Sequence, residues 1–553
     1  MRKPFVLKAS ALVLAVAVST PALAANTSIP LLDFAAGLLN QPNFPHSDNY
    51  TTNDNVTIEG LNGVKLAGNI FVPNHLTGPA PAVIFINSWA LNEYEYLQQA
   101  GELADQGYIV LSYSTRGFGA SEGLINTAGP EDIEDLSRVI DYLIANYPVD
   151  PDAIGAAGIS YGSGIALIGA AKDPRIKAVS AMSSWGSLYE SLYGNKTPRL
   201  VWGELLDLSS GLLGRPDPNI KQYWQAIRDQ NQSLIPEVTA WAAVRSPDHY
   251  IQELNANGTA VYLLKAYGDD LFQPNSLMKM FEQLTGPKHI DLVPGTHATA
   301  DLLPPLLGQA DTLAWHNTHA WFDLHLKGQS NALATAKPIN MKVKFSSTYN
   351  SYDHFPIPEA STKTFYLHPR NALDNGDLET YKFSSLFSFT NQINSWAGTS
   401  FDTGFPLLSQ LLEQIEVPVI TNIPSQSDVR SIYWNSGILT NGMKVRGNPS
   451  VTLQIKPLYN QIQLVGYLYD MDALGNGKLM THGVITLPQA TSGQKTTVKF
   501  DMVTTAYDIP AGHRLVLAID TQDPQYKTPT STDYYVDFNY STGAQSTLTV
   551  PAL

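Results

Sequence analysis

Ser160 lies at the centre of the pentapeptide Gly158-Ile159-Ser160-Tyr161-Gly162, which has the pattern G-x-S-x-G. A serine hydroxyl is a weak nucleophile at neutral pH, so it needs a base that takes its proton and a geometry that exposes Oγ. The two glycines allow a strained turn between a strand and a helix, where a Cβ would collide with nearby backbone. The pentapeptide therefore predicts acyl transfer with Ser160 as the nucleophile.

A histidine and an acid follow the serine in the order that this chemistry requires. His297 comes directly after the apolar run 290–293, and the neighbours Asp269 and Asp270 come after the run 260–266. Loops at the carboxyl ends of parallel strands meet at one edge of the sheet. We expect His297 to take the serine proton and one of the two aspartates to orient its imidazole, since the residues alone leave both acids open.

The tetrahedral intermediate also needs hydrogen-bond donors for its oxyanion. The backbone N–H of Tyr161, just after the nucleophile, is one predicted donor. The other is expected in the loop after the run 82–86, where Trp89 can donate through its backbone or its indole N–H. The alternative for Trp89 is that its ring packs beneath the loop.

The elements that position these residues follow from apolar runs that alternate with amphipathic stretches. Runs too short for helices predict strands near 82–86, 108–113, 154–159, 178–182, 260–266 and 290–293, and longer periodic stretches predict helices near 96–106, 131–146 and 312–326. A hairpin around Asn62-Gly63 precedes them. This alternation predicts a parallel sheet covered on both faces, and with the pentapeptide it indicates an α/β-hydrolase fold over residues 25–335.

An insertion of helical character separates two of the predicted strands. It spans about residues 184–258 and contains Trp185, Trp202, Trp224 and Trp241. The segment is predicted to form a helical cap over the site. The alternative is that the tryptophans fill the core of an inserted subdomain, as buried aromatic residues often do.

A second domain is predicted over residues 336–553. Here short strands alternate with turns rich in glycine, proline and asparagine, and no helical pattern intervenes. The predicted strands include 341–345, 364–367, 450–455, 464–469, 496–502, 514–519 and 534–538. Such a pattern predicts an all-β jelly-roll sandwich.

The N-terminus has the pattern of a secretory signal peptide. Basic residues precede an apolar run over 9–18 and the small-residue sequence Ala22-Leu23-Ala24. We expect residues 1–24 to be removed before Ala25 and the mature protein to be exported to the periplasm or the medium. The apolar run is shorter than the roughly 20 residues that a membrane-spanning helix needs.

Composition restricts the class of partner. The chain has no cysteine, which excludes disulfides and thiolate metal sites, and its formal net charge of −15 argues against binding to nucleic acid or to an anionic membrane. No metal or organic cofactor is implied by the predicted chemistry. The expected partner is a small ester, an amide or a short peptide, and the oligomeric state is left open.

Several segments, in order along the chain, resemble the family of X-prolyl dipeptidyl peptidases, cocaine esterase and α-amino-acid ester hydrolases. They are Asn62-Gly63-Val64-Lys65-Leu66, Arg116-Gly117-Phe118-Gly119, the pentapeptide around Ser160, Arg245-Ser246-Pro247, Gly295-Thr296-His297, Trp321-Phe322-Asp323-Leu324-His325-Leu326-Lys327-Gly328 and Ile509-Pro510-Ala511-Gly512-His513.

The resemblance implies further assignments. The family's acid loop, with Pro274 in register, places the triad acid on Asp269. Two positions depart from the family pattern: Ala266-Tyr267 replaces a Gly-Trp pair, and Trp89 stands where relatives often have an oxyanion-donating tyrosine.

Three functions follow from this resemblance and these residues. An acyl esterase or amidase is favoured over an X-prolyl dipeptidyl peptidase, which needs an acidic group for the substrate's ammonium. Five carboxylates are candidates for that group: Glu93, Glu95, Glu190, Glu204 and Asp207. A non-catalytic glycan-binding protein built on the jelly roll is a third possibility.

Overall fold

The computed structural model describes residues 42–553, except 307–308, 310, 371–374, 397, 400, 403–404, 406–407 and 427–428. The predicted signal peptide, residues 1–24, lies outside the described residues. Within the part of the chain that is described, no helix is both long enough and apolar enough to cross a membrane.

The described residues of the first domain form a ten-stranded sheet in the order β1-β2-β4-β3-β5-β6-β7-β8-β9-β10. Its strands are β1 (Tyr50–Glu59), β2 (Lys65–Pro73), β3 (Ala80–Ile86), β4 (Ile109–Tyr113), β5 (Val149–Ile159), β6 (Ile176–Met182), β7 (Ala260–Ala266), β8 (Lys288–Val293), β9 (Ile339–Lys342) and β10 (Tyr349–Tyr352). Neighbours from β4 to β9 are parallel, and the outer pairs β1 with β2, β2 with β4, and β9 with β10 are antiparallel.

Helices cover both faces of this sheet. In chain order they are α1 (Leu97–Asp105), α2 (Pro130–Asn146), α3 (Tyr161–Lys172), the cap helices α4 (Leu188–Tyr193), α5 (Leu200–Leu213), α6 (Pro218–Arg228), α7 (Ile235–Ala243) and α8 (Ile251–Asn257), then α9 (Pro274–Gln283), α10 (Leu303–Leu306) and α11 (Leu313–Leu326). Strand β3 shows why two layers form: Ile84 and Ile86 enter the core with α2 and α3, whereas Val83 and Phe85 enter the core with α1 and α11.

The second domain is all-β apart from short helices and packs around its own core. Its strands are β11 (Ser361–Leu367), β12 (Gly376–Glu379), β13 (Phe389–Asn394), β14 (Ile420–Asn422), β15 (Ile432–Ser436), β16 (Met443–Gly447), β17 (Ser450–Pro457), β18 (Ile462–Met471), β19 (Asn476–Leu487), β20 (Thr496–Asp501), β21 (Thr505–Ile509), β22 (Arg514–Asp520), β23 (Tyr535–Tyr540) and β24 (Thr547–Ala552). The predicted fold class, an α/β-hydrolase domain with a helical cap followed by a β-rich domain, is confirmed.

Two details differ from the sequence-based expectation. The run 341–345, predicted to begin the second domain, contributes to β9, which pairs in parallel with β8 of the first sheet. Its alternating pattern fits either sheet, and only pairing with a distant strand decides between them. A helix, α12 (Leu408–Gln414), also interrupts the second domain, where no helical pattern was expected.

Candidate active site

The nucleophile turn connects β5 to α3 as the pentapeptide predicts. Ser160 adopts φ 53° and ψ −115°, a strained conformation for a residue with a Cβ. A Cβ on Gly158 would lie 2.5 Å from the carbonyl carbon of Gly162, and one on Gly162 would collide with the carbonyl oxygen of Ile86. Both glycines are therefore required by close backbone approach, and the Ser160 N–H is held by the carbonyl of Met182 at 2.9 Å.

The structure brings Ser160, His297 and Asp269 into one hydrogen-bonded chain. His297 Nε2 lies 2.7 Å from Ser160 Oγ, and His297 Nδ1 lies 2.8 Å from Asp269 Oδ2. Asp269 is fully buried, whereas 8% of the Ser160 surface stays accessible. This is the geometry in which an imidazole can take the serine proton while a carboxylate fixes its tautomer.

The two neighbouring aspartates face different surroundings. Asp269 Oδ1 accepts hydrogen bonds from the backbone N–H groups of Leu271 at 3.1 Å and Phe272 at 2.9 Å. Asp270 instead accepts from Gln410 Nε2 at 2.5 Å, and burial raises its pKa to about 7. Of the two acids left open by the residues alone, the structure places Asp269 at His297.

A buried lysine, which the sequence analysis did not single out, also contacts the acid. Lys265 Nζ donates to Asp269 Oδ2 at 2.5 Å and to the Ser184 carbonyl at 2.8 Å, and its side chain is fully buried. Burial alone would raise the pKa of Asp269, but His297 and Lys265 together hold it below its ordinary value. The available signal was a lysine inside the otherwise apolar strand β7.

Replacing Lys265 with methionine should move the acidic limb of the kcat/KM profile to higher pH by about one unit. Lys265 is one of the two groups that hold the pKa of Asp269 below its ordinary value, so its removal raises the pKa of that carboxyl. The acid that orients the imidazole is then lost at a higher pH. The measurement is the pH profile of ester hydrolysis. Lys288→Met is the matched control, because the Lys288 Nζ donates to the backbone carbonyls of Phe281 and Glu282 in α9 and does not contact the triad. An unmoved limb in Lys265→Met would contradict this electrostatic role.

Two backbone N–H groups close to Ser160, those of Tyr161 and Trp89, are candidate donors to an oxyanion. Tyr161 is the first residue of α3, where backbone N–H groups have no acceptor within the helix. The indole Nε1 of Trp89 donates to the carbonyl of Leu206 in α5 at 3.2 Å, which occupies the side-chain donor. Among the described residues, neither the backbone N–H of Trp89 nor that of Tyr161 has a hydrogen-bond acceptor. Of the two modes expected for Trp89, the structure leaves its backbone N–H as the candidate.

The cap tryptophans belong to the site. Trp185, Trp224 and Trp241 line a cavity that reaches Ser160, and the ring of Trp202 lies 5.3 Å from the imidazole of His297, centroid to centroid. The cap therefore covers His297 as well as the cavity, rather than only filling its own core.

The cavity has a volume of about 90 Å³, and Ser160 lies in its wall. Apolar side chains make up most of the remaining lining: Trp89, Leu188, Leu192, Leu206, Ile220, Ile227, Val238 and Phe272. The wall beside the nucleophile is therefore largely apolar.

Comparison with known families assigns both domains. Residues 62–299 match the X-Pro dipeptidyl-peptidase (S15) family, and residues 331–550 match the X-Pro dipeptidyl-peptidase C-terminal non-catalytic domain. The chain belongs to this family of serine hydrolases. Membership identifies an enzyme, rather than the non-catalytic glycan-binding protein considered above.

Individual relatives of this S15-family hydrolase include esterases. Cocaine esterase of Rhodococcus sp. (strain MB1 Bresler) is 22% identical over 549 residues, which cover 88% of this chain and 93% of the relative. Polyketide transferase claH of Penicillium crustosum is 25% identical over 276 residues, covering 44% of this chain and 89% of the relative. A crystal structure of a CocE/NonD family hydrolase from Staphylococcus aureus superposes with a TM-score of 0.70 at 14% identity, covering 91% of this chain and 94% of that one.

One family motif of this S15-family hydrolase supports the site through packing. Phe118, in the segment Arg116-Gly117-Phe118-Gly119, lies 5.2 Å from the ring of Trp89 and 5.8 Å from the ring of Tyr161. Arg116 is buried and pairs with Asp135 at 2.8 Å. The motif thus packs against the two residues whose backbone N–H groups are the candidate oxyanion donors.

The second domain of the hydrolase reaches both loops that carry the histidine and the acid. Helix α12 presents Gln410 to Asp270 at 2.5 Å, and Gln414 Oε1 accepts from the Thr299 hydroxyl at 2.9 Å. These glutamines lie one helical turn apart and so share a face. Sequence reasoning missed them because no local pattern marks a contact between distant segments.

Proposed function

We propose that the chain is an exported serine hydrolase that cleaves esters of apolar acyl groups through an acyl-enzyme on Ser160. The observation that carries the proposal is the apolar cavity under the cap, which begins at the nucleophile. An acyl chain bound there would present its carbonyl to Ser160 Oγ.

The proposed reaction has two halves. Ser160 Oγ attacks the carbonyl carbon while His297 Nε2 takes the hydroxyl proton, and the backbone N–H groups of Tyr161 and Trp89 stabilise the oxyanion. The tetrahedral intermediate collapses as His297 returns the proton to the leaving alcohol. Water, deprotonated by the same imidazole, then releases the carboxylic acid and restores Ser160, with Asp269 orienting His297 throughout.

The positions of the five candidate carboxylates favour an esterase over an X-prolyl dipeptidyl peptidase. Glu93 and Glu95 are buried in polar contacts away from the cavity, and Glu190 is exposed on the cap. Glu204 accepts from the Trp224 indole at 3.2 Å. Asp207 is the one member of this set that lines the cavity, so a substrate ammonium would meet a largely apolar wall.

A panel of p-nitrophenyl esters tests the acyl preference. We expect kcat/KM to rise from acetate to butyrate and longer linear acyl esters until the cavity is full. Burial of each added methylene contributes about 0.8 kcal/mol of binding free energy. Glycyl-prolyl-p-nitroanilide should be turned over more slowly than the preferred ester. Faster cleavage of the anilide would instead assign a dipeptidyl peptidase.

A cavity-filling variant sharpens this test. Val238→Phe, whose side chain would extend into the cavity, should reduce kcat/KM for the longest good ester far more than for the acetate. Val244→Phe, at the end of the same helix and outside the cavity lining, is the matched control. Equal losses for all esters in Val238→Phe would remove the cavity from the acyl-binding role.

Export is part of the proposal and rests on the N-terminal sequence pattern. The pattern indicates cleavage between Ala24 and Ala25. N-terminal sequencing of protein recovered from the periplasm or the medium should begin at Ala25. Recovery of the chain with residues 1–24 from the cytoplasmic fraction alone would contradict export.

A further inference from the structure

Glu95 lies beneath the loop that carries the proposed oxyanion donor. Its Oε2 accepts the backbone N–H of Ser88 at 2.6 Å, and its Oε1 lies 2.6 Å from Ser88 Oγ. Ser88 Oγ also lies 3.0 Å from the carbonyl oxygen of Ile159. Ser88 directly precedes Trp89, and Ile159 directly precedes Ser160, so this chain of contacts links both halves of the reaction centre.

The number of protons determines the charge state that satisfies these contacts. A serine hydroxyl carries one proton, and both oxygens near Ser88 Oγ are pure acceptors if Glu95 is ionised. One short oxygen contact would then have no proton. If Glu95 is a neutral acid, its O–H donates to Ser88 Oγ, and the Ser88 O–H donates to the Ile159 carbonyl. Every contact is then a hydrogen bond.

The surroundings of Glu95 favour the neutral form. Only 8% of the residue is accessible, and the charged group that faces it from another element is a second acid, Asp301. The phenol of Tyr96 accepts the Ile159 N–H at 3.0 Å and also hydrogen-bonds Glu95. Burial raises the pKa of Glu95 to about 8, with the hydrogen bonds to Ser88 and Tyr96 opposing the rise and Asp301 adding to it.

The geometry points to Glu95 as a positioning residue that acts as a neutral hydrogen-bond donor, joining the Ser88-Trp89 loop to the end of β5 and so aiming the Trp89 N–H at the oxyanion. This inference rests on the proposed function, because it assigns a task in the same reaction. Glu95 does not touch the substrate. Its role is to keep the loop at its distance from Ser160.

Ionisation of Glu95 should therefore weaken catalysis. As the pH rises through about 8, Glu95 loses the proton that it donates to Ser88 Oγ. The Ser88 hydroxyl then donates its single proton to the carboxylate, and Ser88 Oγ faces the Ile159 carbonyl oxygen with no proton between them. The loop loses one of its attachments to β5. We expect kcat to fall along this alkaline limb while KM changes little, since the acyl cavity is unaffected.

Glu95→Gln separates this role from a merely structural one. The glutamine amide can donate to Ser88 Oγ, and its carbonyl can accept the Ser88 N–H, at every pH. We expect kcat at pH 7 within about threefold of the wild type and no alkaline limb near pH 8. Glu95→Ala, which can do neither, should lower kcat at pH 7 by up to about 10²-fold, the scale of a lost oxyanion donor.

Controls keep the outcomes distinct. Glu93→Gln alters a buried carboxylate two residues away that contacts Ser114 instead, and it should retain the wild-type alkaline limb. An alkaline limb that persists in folded Glu95→Gln would overturn the inference.

Infrared difference spectra supply a readout independent of activity. The carbonyl band of a protonated carboxylic acid should be present in the wild type at pH 6.5 and reduced in Glu95→Gln. Absence of that difference would also overturn it. If the wild type neither reacts with a fluorophosphonate nor cleaves esters, the proposed function itself has failed.

Discussion

Replacing Ser160 with alanine should lower kcat for ester hydrolysis by about 10⁶ and abolish covalent labelling by a fluorophosphonate. The variant keeps the cavity and the backbone donors but has no Oγ to form the acyl-enzyme. His297→Ala should cost a similar factor, because an unassisted hydroxyl is a poor nucleophile. Since the two residues act as a unit, the double variant should be no slower than either single one.

Ser163→Ala is the matched control for this result. Ser163 is buried in the first turn of α3, and its hydroxyl donates to the Ser160 carbonyl at 2.5 Å, so it lies beside the nucleophile without lining the cavity. It should keep labelling and most of the activity. Labelling that survives in Ser160→Ala, or that disappears in Ser163→Ala with Ser160 intact, would contradict the assignment of the nucleophile.

Asp269→Asn should lower kcat by about 10⁴. Its amide can donate to His297 Nδ1, which places the remaining imidazole proton on Nε2, facing Ser160 instead of ready to accept from it. The change also removes the carboxylate beside buried Lys265, so we expect a loss of about 3–5 kcal/mol in the free energy of unfolding. Activity should therefore be measured at a temperature where circular dichroism shows the variant folded.

Asp270→Asn distinguishes the two neighbouring acids. Burial already raises the pKa of Asp270 to about 7, and an asparagine there can still accept from Gln410. We expect activity within a few-fold of the wild type. A large loss of kcat in Asp270→Asn together with an active Asp269→Asn would reverse the assignment of the acid.

Sequence reasoning located the parts of the site that follow from chain order. Ser160, Asp269 and His297 each come directly after a strand of a parallel sheet, and such positions meet at one edge without further information. The choice between Asp269 and Asp270 depended on a family resemblance, because the residues alone leave neighbouring loop positions equivalent.

The remaining features depend on contacts between distant segments. The indole of Trp89 binds a carbonyl 117 residues away, and no local pattern marks such a pair. Lys265 was visible in the sequence as a polar residue in an apolar strand. Its contact with Asp269 was not, because that contact depends on how the acid loop folds over β7. The assignment of β9 to the first sheet likewise depends on pairing rather than on composition.

The contacts of α12 mean that this enzyme cannot be reduced to its hydrolase half. Gln410 and Asp270 are 140 residues apart, yet they share a buried hydrogen bond directly beside the triad acid. A fragment ending after β10 would keep the sheet, the serine and the cap. It would lose the contacts of Gln410 and Gln414 with the loops that carry the acid and the histidine. The domain junction is consequently part of the machinery, and swapping the second domain between relatives would transplant a piece of the active site along with it.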